Sequence, residues 1–416
     1  MNKVPGPKLS FILGNAPEIM MLSSVELMKL ARKFASRWDG IYRIWAFPLS
    51  IINIYNPDDV EVIVSTTKHN EKSSVYKFLK PWLGDGLLIS KGEKWQQRRK
   101  ILTPAFHFNI LRQFSVIIEE NSQRLVESLE KCIGKPIDIV PVVSEYTLNS
   151  ICETSMGTQL SDKTEDAWKA YKDAIYELGP YFFQRFTRVY LYFDIIFYLT
   201  SLWRKMKKPL KSLHGFTSTV IKERKIYVEQ NGVKFGEDVN DDDLYIYKKR
   251  RKTAMLDLLI AAQKDGEIDD HGIQEEVDTF MFEGHDTTAS GLTFCFMLLA
   301  NHRAVQDKIV EEINDIMGDS TRRANLEDLS KMKYLECCIK ESLRLYPPVH
   351  FISRNLNEPV VLSQKFAMIE MKSAVAEVLR KYELVPVTRP SEIELIADII
   401  LRNSGPVEIT FNKRTK

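Results

Sequence analysis

Apolar positions recur at helical spacing along most of the chain. Between about 95 and 345, Leu111, Phe114, Ile117 and Ile118 fall on one helix face, and Val277, Phe280 and Met281 on another. Residues 257–263 read as an apolar helix ended by Lys264-Asp265-Gly266, and 305–317 as an amphipathic helix with its charges outward. Leu326-Glu327-Asp328-Leu329 opens a helix predicted to run on through Tyr334 to Leu345, where Pro347-Pro348 stops it. Short β-rich runs interrupt the pattern. Ile41–Trp45 and Ser50–Tyr55 predict a two-strand unit, followed at Asn56-Pro57-Asp58-Asp59 by a turn and a helix start. Val360-Val361-Leu362 predicts a strand. A helix is expected over 364–382, with Phe366, Ile369, Val375, Val378 and Leu379 on its apolar face, and the tail over 407–411 ends as a strand. The fold class is mainly α with a minor β-sheet. No Gly/Ser-rich or Pro-rich linker divides the chain, so one domain over 1–416 is expected.

Composition narrows the function. The 416 residues carry a formal net charge of +2, against the concentrated basic surface that nucleic-acid binding requires. The run Lys248–Lys252 follows Asp241-Asp242-Asp243 and reads as a solvated loop. The five cysteines, Cys132, Cys152, Cys295, Cys337 and Cys338, form no CxxC pair and are odd in number, so a disulfide framework is not expected. No apolar run is long enough to span a bilayer. The stretch 181–203 is rich in Phe and Tyr but interrupted by Arg185, Arg188 and Asp194. It reads as an amphipathic helix pair packed on the core, or as a surface that touches lipid through its aromatic side chains.

The most informative stretch is Phe280-Met281-Phe282-Glu283-Gly284-His285-Asp286-Thr287-Thr288-Ala289-Ser290-Gly291, inside an apolar helix continuing through Phe294, Phe296, Met297 and Leu299. Polar residues inside a buried helix are costly unless they have partners or a task. Glu283 and Thr287 lie four apart on one face, with Asp286 one position round. Gly284 removes a side chain beside them, which predicts a groove. A carboxylate beside a hydroxyl in a groove can pass protons to a bound ligand. The alternative is a notch satisfied by backbone and water, with His285 and Asp286 at the surface. His285-Asp286 also admits a metal-hydrolase reading, a distant third for want of further ligands nearby.

Two further motifs flank this helix. Trp95-Gln96-Gln97-Arg98-Arg99 places Trp95 and Arg99 on one helix face, before Leu102-Thr103-Pro104-Ala105-Phe106-His107. Glu341-Ser342-Leu343-Arg344 is an i,i+3 ion pair between apolar Ile339 and Leu345, just before Tyr346-Pro347-Pro348. Taken singly, these are an ordinary basic helix and a surface ion pair. In this order and with these flanks, the three motifs resemble family 4 of the cytochrome P450 enzymes.

That resemblance implies a haem-dependent monooxygenase. Asp286 and Thr287 would relay protons, and Glu283, with Gly284 beside it, would face the haem edge, where the family's glutamate can form an ester. Trp95, Arg99 and Arg354 would hold haem propionates, and Glu341 and Arg344 would brace the haem-side core. The substrate would be an apolar, fatty-acid-like small molecule. Electrons would come from NADPH through a flavin reductase partner, and the site of action would be the cytosolic face of the endoplasmic reticulum membrane.

The same resemblance exposes a break. The family requires a β-hairpin, an arginine completing the Glu–Arg brace, and a Gly-rich loop carrying the cysteine that ligates iron as thiolate. Here a strand-like Asn357–Ser363 runs directly into Gln364–Met371, which resembles the helix just after that cysteine. Cys295, Cys337 and Cys338 read as core or near-core thiols, so no metal ligand is assigned. The N-terminus also departs, since microsomal members carry an anchor helix before the Pro-Gly-Pro element found here at residues 5–7. These departures predict an exon-skipped product, an incomplete gene record or a decaying copy. Two functions follow: a monooxygenase as encoded by an intact gene, or a catalytically dead, haem-poor remnant that binds apolar ligands.

Overall fold

The computed structural model describes residues 4–38, 40–55, 71–106, 108–159, 165–232, 254–318, 322–355 and 375–413, with the single positions 60, 63 and 320. The expected turn at 56–59, the basic run at 248–252, the strand at 360–362 and the Ser363–Gln364 junction lie outside the described residues.

Helices dominate. In chain order they are α1 (Ala16–Met20), α2 (Ser24–Arg37), α3 (Lys80–Leu83), α4 (Gly92–Leu102), α5 (Phe108–Glu130), α6 (Ile139–Ile151), α7 (Glu165–Thr187), α8 (Asp194–Leu199), α9 (Ser201–Asn231), α10 (Met255–Lys264), α11 (Asp270–Asn301), α12 (Arg303–Met317), α13 (Leu326–Lys331) and α14 (Lys333–Leu345). A further helical turn covers 375–381, within the helix expected over 364–382. The strands are few. β1 (Ile41–Ala46) and β2 (Leu49–Ile54) form the expected antiparallel pair, with Ile41 opposite Ile54. β3 (Pro136–Asp138), β7 (Glu408–Lys413) and β4 (Tyr382–Pro386) form an antiparallel sheet with β7 in the middle, and β5 (Leu395–Ile396) pairs with β6 (Arg402–Asn403).

The axis of the molecule is α11. Asp269 caps its start by accepting from the Gly272 backbone N–H at 2.7 Å. At 1.5 Å per residue, its 32 residues reach about 48 Å. Its N-terminal half, at Ile273, Val277, Met281 and Phe282, packs into one apolar core with Trp82, Tyr171, Leu178 and the buried faces of α9 and α10. Its C-terminal half, from Ala289 to Ala300, belongs to a second core with Ile309, Ile313, Ile339, Val375, Leu379, Tyr382 and Phe411. A helix buried on all sides is apolar all round, and the polar positions 283–288 fall where one core gives way to the other.

Two expectations are corrected. The helix expected from Leu326 through Leu345 is two helices that break at Met332, whose ψ of 78° is not helical. The physical reason is tertiary: the Glu312 carboxylate of α12 accepts from the Tyr334 and Leu335 backbone N–H groups at 2.7 and 2.9 Å, so it caps a fresh helix start. The helix pair expected over 181–203 is also more broken. α7 ends at Thr187, a 3₁₀ turn covers Val189–Tyr192, and the short α8 follows, with Phe193, Ile195, Ile196, Tyr198 and Leu199 exposed. Among the described residues, no single helix is long and apolar enough to cross a membrane.

Candidate functional site

Glycine at position 284 serves packing. A Cβ there would stand 2.5 Å from Cδ1 of Ile151, the last residue of α6. The groove expected at Gly284 is therefore filled by Ile151, and the glycine lets α6 close onto α11. Thr287 donates its hydroxyl to the Glu283 backbone carbonyl at 2.5 Å, a local bond within its own helix. The Glu283 carboxyl is pushed up to about 7 by burial, with Lys72 pulling the other way. Lys72 in turn is brought down to about 8, first by burial and then by repulsion from Arg354.

His285 and Asp286 are both buried, against the surface placement weighed for them. Burial brings His285 down to about 4 and keeps its ring neutral. Asp286 is held by an arginine that sequence reasoning did not single out: Arg402 Nη2 lies 2.5 Å from Asp286 Oδ2. Arg402 also donates through Nε to Asp398 Oδ2 at 3.2 Å, and its guanidinium carbon lies 4.3 Å from the Tyr176 ring centroid. The 398–402 segment is pinned to α11 again by Ser290, whose hydroxyl donates to the Leu401 carbonyl at 2.7 Å. The other Asp286 oxygen, Oδ1, is buried with no partner among the described residues. The only local hint was an acid and a base, Asp398 and Arg402, four apart around Ile399, Ile400 and Leu401.

The two arginines expected to meet carboxylates share a telling property. Arg99 stands over the Trp95 ring at 5.3 Å, as their i,i+4 spacing predicts, and its Nη1 is buried without a partner among the described residues. Arg354 donates Nη1 to the Ser353 carbonyl at 3.2 Å, while its Nε is likewise buried and unpartnered. An isolated β-bridge between Lys72 and Arg354 brings that segment beside the cation that acts on Glu283. Buried guanidinium N–H groups without acceptors cost about 1–3 kcal/mol each, and carboxylates are their natural partners. Arg99 and Arg354 each fit a propionate of a haem.

The cysteines do not fit the thiolate ligand the family requires. Cys152 is buried with its sulfur 3.9 Å from Met281 Sδ, and burial drives its thiol far up. Burial pushes the Cys295 thiol up to about 12. Cys338 is also raised by burial, and Cys132 lies between α5 and β3; Cys337, expected at or near the core, is instead exposed, because it falls on the outer face of α14. Thiols held protonated by apolar surroundings are poor sources of an anionic sulfur ligand. Among the described residues, no three His, Cys, Asp or Glu side chains converge as a metal site would need, which leaves the hydrolase reading without a centre.

The expected buried brace takes another form. Glu341 and Arg344 make a bidentate pair at 2.7 and 2.7 Å, but both side chains are more than half exposed. The third member that would draw the pair inward is not found among the described residues. Water and salt screen such an exposed pair, so it adds little to stability.

With this geometry in place, the comparisons with known proteins fix the class. Residues 4–364 match the cytochrome P450 family model, and the chain belongs to that family of haem-dependent monooxygenases. Within it, the similarity is to family 4. Cytochrome P450 4c3 of Drosophila melanogaster is 33% identical over 485 aligned residues, covering 100% of this chain and 90% of the relative. Cytochrome P450 4d2 of the same organism is 33% identical over 476, covering 99% and 94%. Human cytochrome P450 4V2 is 40% identical over 322, covering 76% of this chain and 60% of the relative.

Proposed function

We propose that this chain is a haem-poor, catalytically silent form of a family 4 monooxygenase that still binds apolar ligands, and that turnover belongs to a form carrying the segment absent between Ser363 and Gln364. The observation that carries the reading is the unequal state of the candidate residues: buried Arg99 and Arg354 nitrogens without acceptors among the described residues, and buried Cys152 and Cys295 thiols held protonated. Two comparison results support it. The family match stops at residue 364, beside that junction, and the alignment to 4c3 runs to 485 positions against 416 residues in this chain.

In this reading Trp95, Arg99 and Arg354 would hold the propionates. Glu283 would face the haem edge across the space closed behind it by Gly284 and Ile151. Asp286 and Thr287 would carry protons, but each is engaged here, Asp286 by Arg402 and Thr287 by the Glu283 carbonyl. Asp286 keeps Oδ1 without a partner among the described residues, whereas Thr287 would have to release the Glu283 carbonyl before donating elsewhere. Glu341 and Arg344 would brace the haem side once their third partner is supplied. Because the cysteines do not fit the thiolate ligand, no reaction step is assigned to this chain. When bound through a thiolate, haem supplies oxygen activation to the family. The substrate class is an apolar, fatty-acid-like chain, and the electron donor is an NADPH-dependent flavin reductase. The exposed apolar face of α8 supports contact with a membrane surface, at the cytosolic side of the endoplasmic reticulum. The whole of 1–416 is read as one domain.

The test is to express the chain, add haem, reduce it and bind carbon monoxide. The expected result is poor haem retention and no red-shifted Soret band. A stable complex with the red-shifted band of thiolate ligation overturns the reading and returns catalysis to this chain.

A further inference from the structure

Arg185, near the end of α7, is 1% exposed. Its guanidinium carbon lies 3.6 Å from the ring centroid of Phe197 on α8 and 4.7 Å from that of Phe78, in the 3₁₀ helix Ser74–Leu79. Its Nη2 donates to Asp194 Oδ1. Its Nε and Nη1 are buried and meet no partner among the described residues. Nη2 is the nitrogen common to the two bidentate edges of a guanidinium, so a single carboxylate oxygen there leaves an unused N–H on either side. A carboxylate that engaged this guanidinium in bidentate fashion would use one of those N–H groups as well.

The two partners differ in their freedom. Asp194 is 53% exposed, so releasing it to water costs little, whereas Arg185 is boxed by rings and cannot follow. Burial lowers the Arg185 pKa from its very high ordinary value, while Asp194 and Tyr198 hold the charge in place. The next residue, Phe186, has its ring 6.5 Å from that of Phe351, which sets this end of α7 beside the segment that carries Arg354. Outside the rings, α8 presents Ile195 and Leu199 to solvent.

We propose that Arg185 is an anion anchor, holding the carboxylate head of a long-chain amphiphile whose tail lies against the apolar side chains beneath α8, with Asp194 as the internal stand-in that the head group displaces. This rests on the apolar-ligand reading above and adds to it a head group and the residue that selects it.

The test compares dodecanoate with dodecanol, equal in chain length and different in charge, by calorimetric titration of the full chain. One charge-assisted hydrogen bond gained corresponds to about a tenfold preference for the carboxylate. Arg185→Met erases that preference and Arg185→Lys keeps part of it. Asp194→Asn removes the competitor, so it tightens dodecanoate and leaves dodecanol unchanged. Equal affinities in the wild type, or an unchanged preference in Arg185→Met, overturn the anchor and leave the apolar-ligand reading standing. Binding of neither compound overturns both. If Arg185→Met does not fold, Asp194→Asn decides, since dodecanoate affinity unchanged there also overturns the anchor.

Discussion

Arg402 reaches across 116 residues of sequence to place Nη2 2.5 Å from the buried carboxylate of Asp286. It is the cation that lets an acid sit in the middle of a helix with apolar cores on both sides. Removing one member of a buried pair leaves the other charge without compensation, at about 3–5 kcal/mol. Arg402→Met is therefore expected to lower the urea midpoint sharply. Arg402→Met combined with Asp286→Asn is expected to recover part of the loss, as a double-mutant cycle of unfolding free energies would show.

Gly284 and Ile151 make a second pair that can be tested directly. Gly284→Ala places a methyl 2.5 Å from Ile151 Cδ1, and overpacking of this kind costs about 1–3 kcal/mol. Ile151→Val removes that Cδ1. The double variant is expected to be more stable than Gly284→Ala alone, with thermal unfolding as the measurement. Equal stability of the two would mean that the backbone shifts instead.

His285 sets a dependence on the acid side. Its folded pKa of about 4 lies below the ordinary 6.5, because burial penalises the charged ring. The unfolded chain takes up the proton first, so stability is lost as pH falls from 6.5 towards 4. His285→Gln cannot make that loss. The wild type should lose about 3 kcal/mol against the variant across this window, read from denaturant unfolding at stepped pH.

Glu283 works in the opposite direction. Its folded pKa of about 7 lies above the ordinary 4.5, so the native state keeps a proton that the unfolded chain gives up. Stability from this group is present at pH 4.5 and lost as pH rises to 7. Glu283→Gln stays neutral throughout. It is expected to gain on the wild type across that window and to hold a constant advantage above pH 7. A flat difference between the two would place the Glu283 carboxyl in water.

The elements legible in the sequence were those whose own periodicity decides them. The α11 face at Val277 and Met281, the 305–317 amphipathic helix and the β1–β2 pair all stand as expected. What was not legible depended on side chains arriving from elsewhere. The break at Met332 is made by Glu312, and no local breaker residue marks it. Gly284 reads as an opening until Ile151 is seen in the space. Asp286 reads as a surface group or a relay until Arg402 closes on it. The Trp95–Arg99 stack was legible because i,i+4 spacing alone produces it. The exposure of Glu341 and Arg344 was not, because burial of such a pair depends on a wall the local sequence does not encode.

The second core carries one last consequence. Val375, Leu379, Tyr382, Leu384 and Phe411, all downstream of the Ser363–Gln364 junction, are buried against the C-terminal half of α11, and the alignment to 4c3 extends over the whole chain. A frameshift would have scrambled every one of these side chains. On the proposed loss at that junction, the nucleotides removed were therefore a multiple of three, and the reading frame was kept.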